Sequence, residues 1–162
     1  SFLNQFKGHN HGTLVQFIKY GIAGGAATSV HIVAFYILAG TIFPALSVDD
    51  KAVTVLGLPS TDIDEKTRAT LAALNNIIAF FFSNGVAYIL NIKWVFMAGR
   101  HPRSIELMMF FAVSGTSIVV GSGIVWGLVR WGSATSTTAF VANILASVMI
   151  NYVMRKYVIF KG

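Results

Sequence analysis

Four long stretches of this chain, 20–42, 71–90, 107–129 and 138–154, contain no Asp, Glu, Lys or Arg. A helix that crosses a bilayer needs about 20 mostly apolar residues. A buried helix of a soluble domain rarely runs that far without a charge, so the four stretches read as membrane-spanning helices. Composition agrees. The chain is 55% hydrophobic and 11% charged, against about 25% charged in soluble domains, and its mean hydropathy is +0.69. At 162 residues it is expected to form one domain. The expected fold is therefore all-α, an integral membrane four-helix bundle filling 1–162.

The same composition removes whole classes of chemistry. There is no cysteine, hence no disulfide, thiol reaction or Cys-bound metal. His9 and His11 have no third ligand close in sequence, so no metal is expected. The net charge of +6 points, in so apolar a chain, to lipid phosphates and not to nucleic acid. The stretch 1–12 is basic and polar and lacks the apolar core of a signal peptide.

The connections differ sharply. The loop 43–70 holds five of the six acids, Asp49, Asp50, Asp62, Asp64 and Glu65. Ser60 or Thr61, ahead of an acidic turn, is expected to cap the second helix outside the membrane. The segment 92–106 is short and basic, and 130–137 is a tight turn of small residues. Lys7, Lys19, Lys93, Arg100, Arg103, Arg155, Lys156 and Lys161 then fall on one side of the membrane. Only Lys51, Lys66, Arg68 and Arg130 fall on the other. The richer side is expected to face the cytoplasm, which places both termini there.

A faint internal repeat relates the halves. Tyr20-Gly-Ile-Ala-Gly-Gly25 is like Phe110-Phe-Ala-Val-Ser-Gly115. Lys93-Trp94-Val95-Phe96 is like Lys156-Tyr157-Val158-Ile159-Phe160 with one residue added. Two crossings per half make the repeat parallel.

Three features can carry function. Small-residue pairs (Gly21 with Gly25, Gly123 with Gly127, Ser117 with Gly121) allow close helix approach within the chain or in a homodimer, or form a groove for a lipid headgroup. Amides form the second. Asn76, Asn84 and Asn91 share one face of the second helix, with Asn75 and Ser83 beside them, and Asn143, Ser147 and Asn151 share a face of the fourth. An amide in hydrocarbon needs a partner, so these faces either bond to each other or line a polar path for sugar hydroxyls. His31, midway along the first helix, is either a satisfied neutral imidazole or part of that path. The third feature is a basic-aromatic rim: Lys19 and Tyr20, Lys93, Trp94 and Phe96, Arg155, Lys156, Tyr157 and Phe160. Arg100 and Arg103 stand close by. These residues are ordinary interfacial anchors or a collar for a lipid phosphate. Glu106, the one acid on that side, pairs with a cation or favours the start of the third helix. No hydrolytic or nucleotide-binding constellation is present, so no enzyme and no cofactor are expected.

The run Phe17-Ile-Lys-Tyr-Gly-Ile-Ala-Gly-Gly25, then Asn84–Asn91 followed by Lys93-Trp94-Val95-Phe96, then Asn151 and Arg155-Lys156-Tyr157-Val158-Ile159-Phe160, resembles the GtrA-like family. The resemblance covers 15–161. The order of the motifs, with a basic-aromatic tail on both even helices, carries it more than any single motif. It implies a small four-helix membrane protein of cell-surface polysaccharide synthesis, partnered with a polyprenyl-phosphate glycosyltransferase. Its ligand would be a polyprenyl-phosphate-linked sugar, flipped across the cytoplasmic (inner) membrane. Related modules form the membrane domains of polyprenyl-phosphate mannose synthases, so a non-transporting anchor for such an enzyme is the alternative. The long acidic loop departs from the family pattern. A small multidrug exporter ranks last, because its proton exchange wants a carboxylate inside a helix and none of the four stretches has one.

Overall fold

The computed structural model describes the backbone of residues 12–97, 99–130 and 136–160, and their side chains except at 51, 65, 69, 73, 118, 121–130 and 136–144. Asn143, named above for the polar path, is one of those excepted side chains and so lies outside the described residues. The described chain holds four long helices and one short one: α1 Thr13–Gly40, α2 Lys51–Leu56, α3 Glu65–Leu90, α4 Arg103–Arg130 and α5 Ser136–Met154. A five-residue π-helical turn extends α3 over Asn91–Val95, and another extends α5 over Arg155–Ile159. There is no strand among the described residues.

The long helices overrun the apolar stretches at their polar ends. α1 has 28 residues, about 42 Å at 1.5 Å per residue, against a hydrocarbon core of about 30 Å. Both α1 and Lys66–Val95 are long and apolar enough to cross a membrane.

Two compact units divide the chain, the break falling within α1 and α3. One is Ser1–Gly21 with Tyr88–Gly162 and the other is Ile22–Ala87. In the second unit the acidic loop is folded. Asp50 accepts the Ala52 amide at 2.8 Å and caps α2. Gly57, at φ 65°, closes that helix in the left-handed conformation that glycine adopts without penalty. Buried Ala39, Ala45 and Leu46 form a small core, with Phe35, Tyr36, Val53 and Leu58 packed on it. The Asn75 amide donates to the Phe43 carbonyl at 2.9 Å and pins the loop to α3.

The cap of α3 differs from expectation. Asp64, not Ser60 or Thr61, accepts the Thr67 amide at 2.9 Å, and its carbonyl receives the Arg68 amide. A carboxylate one residue ahead of the helix reaches the free amides of the first turn, which hydroxyls three or four residues earlier do not. The Thr67 side chain and amide together hold the Asp64 carboxyl below its ordinary range.

In the first unit α4 packs against α5, and both touch the π turn that follows α5. A π turn inserts one residue into the helical ladder. Phe96 donates its amide five residues back to Asn91 at 2.7 Å, and Phe160 does the same to Arg155 at 2.9 Å. Each Phe then leaves the helix in extended conformation. The turn therefore swings Phe96 and Phe160 inward, where they stack at 5.4 Å between centroids, 13° from parallel.

Candidate functional site: a cationic-aromatic cluster

Four more rings surround that stack and make a cluster of six. Tyr20 from α1 lies 6.2 Å from Phe96 and 5.4 Å from Tyr152. Phe110 from α4 lies 6.2 Å from Phe160 and 5.5 Å from Tyr88. Tyr152 meets Phe96 at 6.0 Å, and Tyr88 meets Phe160 at 6.2 Å. The Tyr152 hydroxyl donates to the Thr13 carbonyl at 3.4 Å, and the Tyr88 hydroxyl to the Arg103 carbonyl at 3.3 Å. All six rings are buried.

Cations enter this cluster. Arg155 is 7% exposed. Its guanidinium lies 3.8 Å from the Phe110 centroid and 5.4 Å from that of Tyr20, and it donates to the Ser114 hydroxyl at 2.9 Å. Its Nε is buried without a partner. Lys156, 8% exposed, donates to the Thr13 hydroxyl at 3.3 Å and to Tyr152 at 3.5 Å. Lys19 is fully covered, donates to the Trp94 carbonyl at 3.4 Å and lies over the Trp94 ring. Among the described residues the partners of Arg155 and Lys156 are hydroxyls and rings, with no carboxylate. Glu106 is fully buried on α4, one turn before Phe110. It accepts the Gly99 amide at 2.8 Å with one oxygen, and the other has no partner. Gly99, at φ 107°, holds a conformation that a side chain would strain.

The rim read from sequence thus separates. Lys19, Arg155 and Lys156 turn inward, whereas Lys93, Arg100 and Arg103 are exposed. Arg100 and His101 donate to the Tyr157 and Val158 carbonyls. The aromatics separate as well. Tyr20, Phe96 and Phe160 are cluster core and not interfacial anchors, Trp94 is half-buried, and Tyr157 is exposed. For the residues after Leu90 and Met154 the cause is the π turn, which takes their side chains off the preceding helical faces.

Polar groups also gather in the second unit. His31 Nδ1 lies 3.2 Å from the Ser83 hydroxyl and Nε2 lies 3.0 Å from the Asn76 carbonyl oxygen. Nearby, an apolar cleft of about 490 Å³ is lined by residues such as Val30, Val33, Ile37 and Phe82. Of the other amides, Asn151 donates to Ser117 at 2.8 Å within the first unit. Asn84 and Asn91 are buried. Asn75, which flanks the amide face in sequence, is the buried one, whereas Asn76 is exposed and bonded to His31.

Sequence reasoning did not single out Tyr88, Tyr152 or Ser114. A signal for the tyrosines exists, since each stands eight residues ahead of a closing Phe, Phe96 and Phe160. Ser114 is one of many small residues on α4, and nothing in the sequence distinguishes it.

Apolar helices, no strand among the described residues, and a buried cationic-aromatic cluster define a helical membrane domain. The chain belongs to the GtrA/DPMS transmembrane-domain family, whose pattern it matches over residues 67–160, more than half of its length. That family is concerned with lipid-linked sugars, and its membrane domain is generally non-catalytic. Neither the curated proteins nor the solved structures compared give a match.

Proposed function

We propose that the chain flips a polyprenyl-phosphate-linked sugar across the cytoplasmic membrane, with Arg155, Lys156 and Lys19 receiving the phosphodiester. The observation that carries this is the buried Arg155 guanidinium, which among the described residues has no carboxylate partner. Burying an ion costs several kcal/mol after relaxation. A desolvated cation–π contact returns about 2 kcal/mol, and one hydrogen bond to a charged group about 1.5–3 kcal/mol. With Nε unbonded and Lys156 beside it, the site remains short of negative charge. A phosphodiester supplies that charge, with acceptor oxygens for both side chains.

Other features fit this reading. The His31–Ser83–Asn76 group offers donors and acceptors to a sugar at membrane depth. The matched ring distances and the paired tyrosine bonds support a parallel two-helix repeat within a four-helix bundle. Adding 90 to α1 numbers gives α4 numbers, and adding 64 carries Tyr88 and Phe96 to Tyr152 and Phe160. Termini on the cytoplasmic side, a homodimer and a membrane glycosyltransferase partner complete the proposal. The exposed Lys93, Arg100 and Arg103 favour a second reading, an anchor that docks such an enzyme without transport.

Two measurements decide. The Arg155→Gln/Lys156→Gln double variant should bind a short-chain prenyl phosphoglucoside at least about tenfold more weakly, and the Lys93→Gln/Arg100→Gln variant should bind it normally. Unchanged binding in the first variant sinks the site. Proteoliposomes carrying the purified protein should then equilibrate that lipid between leaflets. Binding without equilibration leaves the anchor.

A further inference from the structure

The acidic loop takes no part in the cationic-aromatic cluster, and its two limbs differ in character. Residues 41–58 are mostly apolar and carry charge only at Asp49, Asp50 and Lys51, around the start of α2. Residues 59–68 hold the other acids and two cations, and Asp62, Asp64 and Lys66 are exposed. A helix resting on a protein in water turns a polar face outward. α2 does not. Val53 packs on the core of Ala39, Ala45 and Leu46. Val55, two residues on and so on the opposite face, is 78% exposed, and Leu56 beside it is 67% exposed. Ile42 and Val48 in the same limb are exposed as well.

The place of that face along the membrane follows from α1. From Ile22 to Gly40 the helix has no Asp, Glu, Lys or Arg. Its length there is about 28 Å, close to the ~30 Å of a hydrocarbon core. The chain therefore leaves α1 at the bilayer boundary, and its own bonds keep it there. The Ile42 and Phe43 amides turn back to the Leu38 carbonyl at 3.1 and 2.9 Å, and the Ala45 amide to that of Ala39 at 3.0 Å. On the return, the Thr61 amide donates to the Leu46 carbonyl at 3.0 Å, and Pro59 lies against Gly40. On α1 itself Ile32, Val33 and Ile37 are each more than half exposed, a surface that lipid tails cover. Ile42 carries that surface past the end of the helix.

We propose that residues 41–58 are a lipid-docking element. α2 lies in the headgroup–acyl boundary of the leaflet on the acidic-loop side, with Val55 and Leu56 among the first carbons of the lipid tails. Asp49 and Asp50 stay at headgroup level, and the charged limb 59–68 faces water. Interfacial helices bury an apolar face about 5–10 Å deep in this way. Six residues are too few to do so alone, and the loop's own core and the Asp50 cap hold α2 in shape. The partner is a lipid surface because the face continues one that lipid already covers, at the depth where α1 ends. The contact fixes how deep that end of α1 sits, since the tilt and depth of a long helix are set by its packing and its interfacial anchors. It holds whether or not the chain carries a lipid phosphate.

Spin labels on the whole protein in phosphatidylethanolamine–phosphatidylglycerol vesicles test this. Val55→Cys, Leu56→Cys, Ile37→Cys and Asp62→Cys are labelled singly. Power saturation then compares collisions with oxygen, which concentrates in hydrocarbon, and with a neutral nickel chelate, which stays in water. The labels at Val55→Cys and Leu56→Cys should collide mainly with oxygen, as at Ile37→Cys, and the label at Asp62→Cys mainly with nickel. Nickel-dominated collisions in the two α2 variants place the face in water and overturn the proposal. Loss of both kinds of collision means that protein covers it, a second copy or another part of the chain, and overturns it equally. Should the labelled variants fail to fold, the unmodified protein decides. A phospholipid with a diazirine near the ester end of its acyl chain, photolysed in the same vesicles, should leave adducts on the 48–58 peptide, and their absence overturns the proposal.

Discussion

At the scale of single residues, the caps and the cations show how the same side-chain type takes opposite roles. Asp50 and Asp64 both point an oxygen at backbone amides, and so convert an acidic loop into two helix starts. The Thr67 contacts lower the Asp64 pKa, so the ionised form is favoured in the folded state. Its contribution is complete above the ordinary carboxylate range and disappears as pH falls through the lowered value. The protection factors of the first-turn amides of α3, corrected for the intrinsic exchange rate, should accordingly fall in acid, and Asp64→Ala should lower them already at neutral pH. An unchanged first turn in that variant would remove Asp64 from the cap. Asp50→Ala should cost the loop about 1 kcal/mol, read as earlier thermal loss of the 43–70 region. Arg155 and Lys156 illustrate what sequence does not disclose. A cation after an apolar helix reads as a snorkelling anchor. Its actual direction is decided by one inserted backbone residue.

At the scale of elements, the long helices were legible because lipid imposes a crude demand, sustained apolarity without charge, that the sequence states directly. The short helix α2 was not read, since six residues between Asp50 and Gly57 give no periodicity to measure. The π turns were not legible either. Asn91–Val95 and Arg155–Ile159 share Ile, Lys, Val and an aromatic, a composition that an ordinary interfacial helix end also carries, and a five-back hydrogen bond depends on what the following Phe can pack against. The basic-aromatic tails were recognised as similar, but as surface motifs. Their similarity lies in the buried Phe that ends each one. Deleting Ile92 tests this. The deletion restores an ordinary helical ladder and turns every following side chain by about 100°, which takes Phe96 out of the stack with Phe160. The expected result is a lower melting temperature in detergent and loss of prenyl phosphoglucoside binding, with helix content by circular dichroism nearly unchanged. A variant that melts and binds like wild type would show that the π turn does not position the cluster.

At the scale of the whole molecule, the outstanding question is sidedness, because a lipid-phosphate site has a use only in the leaflet where its substrate is made. The distribution of Lys and Arg predicts that Arg103 and the α5 end lie on the cytoplasmic face and that the acidic loop lies opposite. The absence of cysteine makes the test clean, since any introduced thiol is unique. Asp62 and Arg103 are both exposed and lie on opposite sides of α3 in sequence. In right-side-out vesicles, Asp62→Cys should react with a membrane-impermeant maleimide, and Arg103→Cys should react only after the vesicles are opened. In inverted vesicles the two should exchange behaviour. If Arg103→Cys were labelled from outside, the inward cations Arg155 and Lys156 would face the leaflet that receives the product. The chain would then have to be read as a receiver or partner at the outer face and not as the protein that captures a newly made lipid-linked sugar.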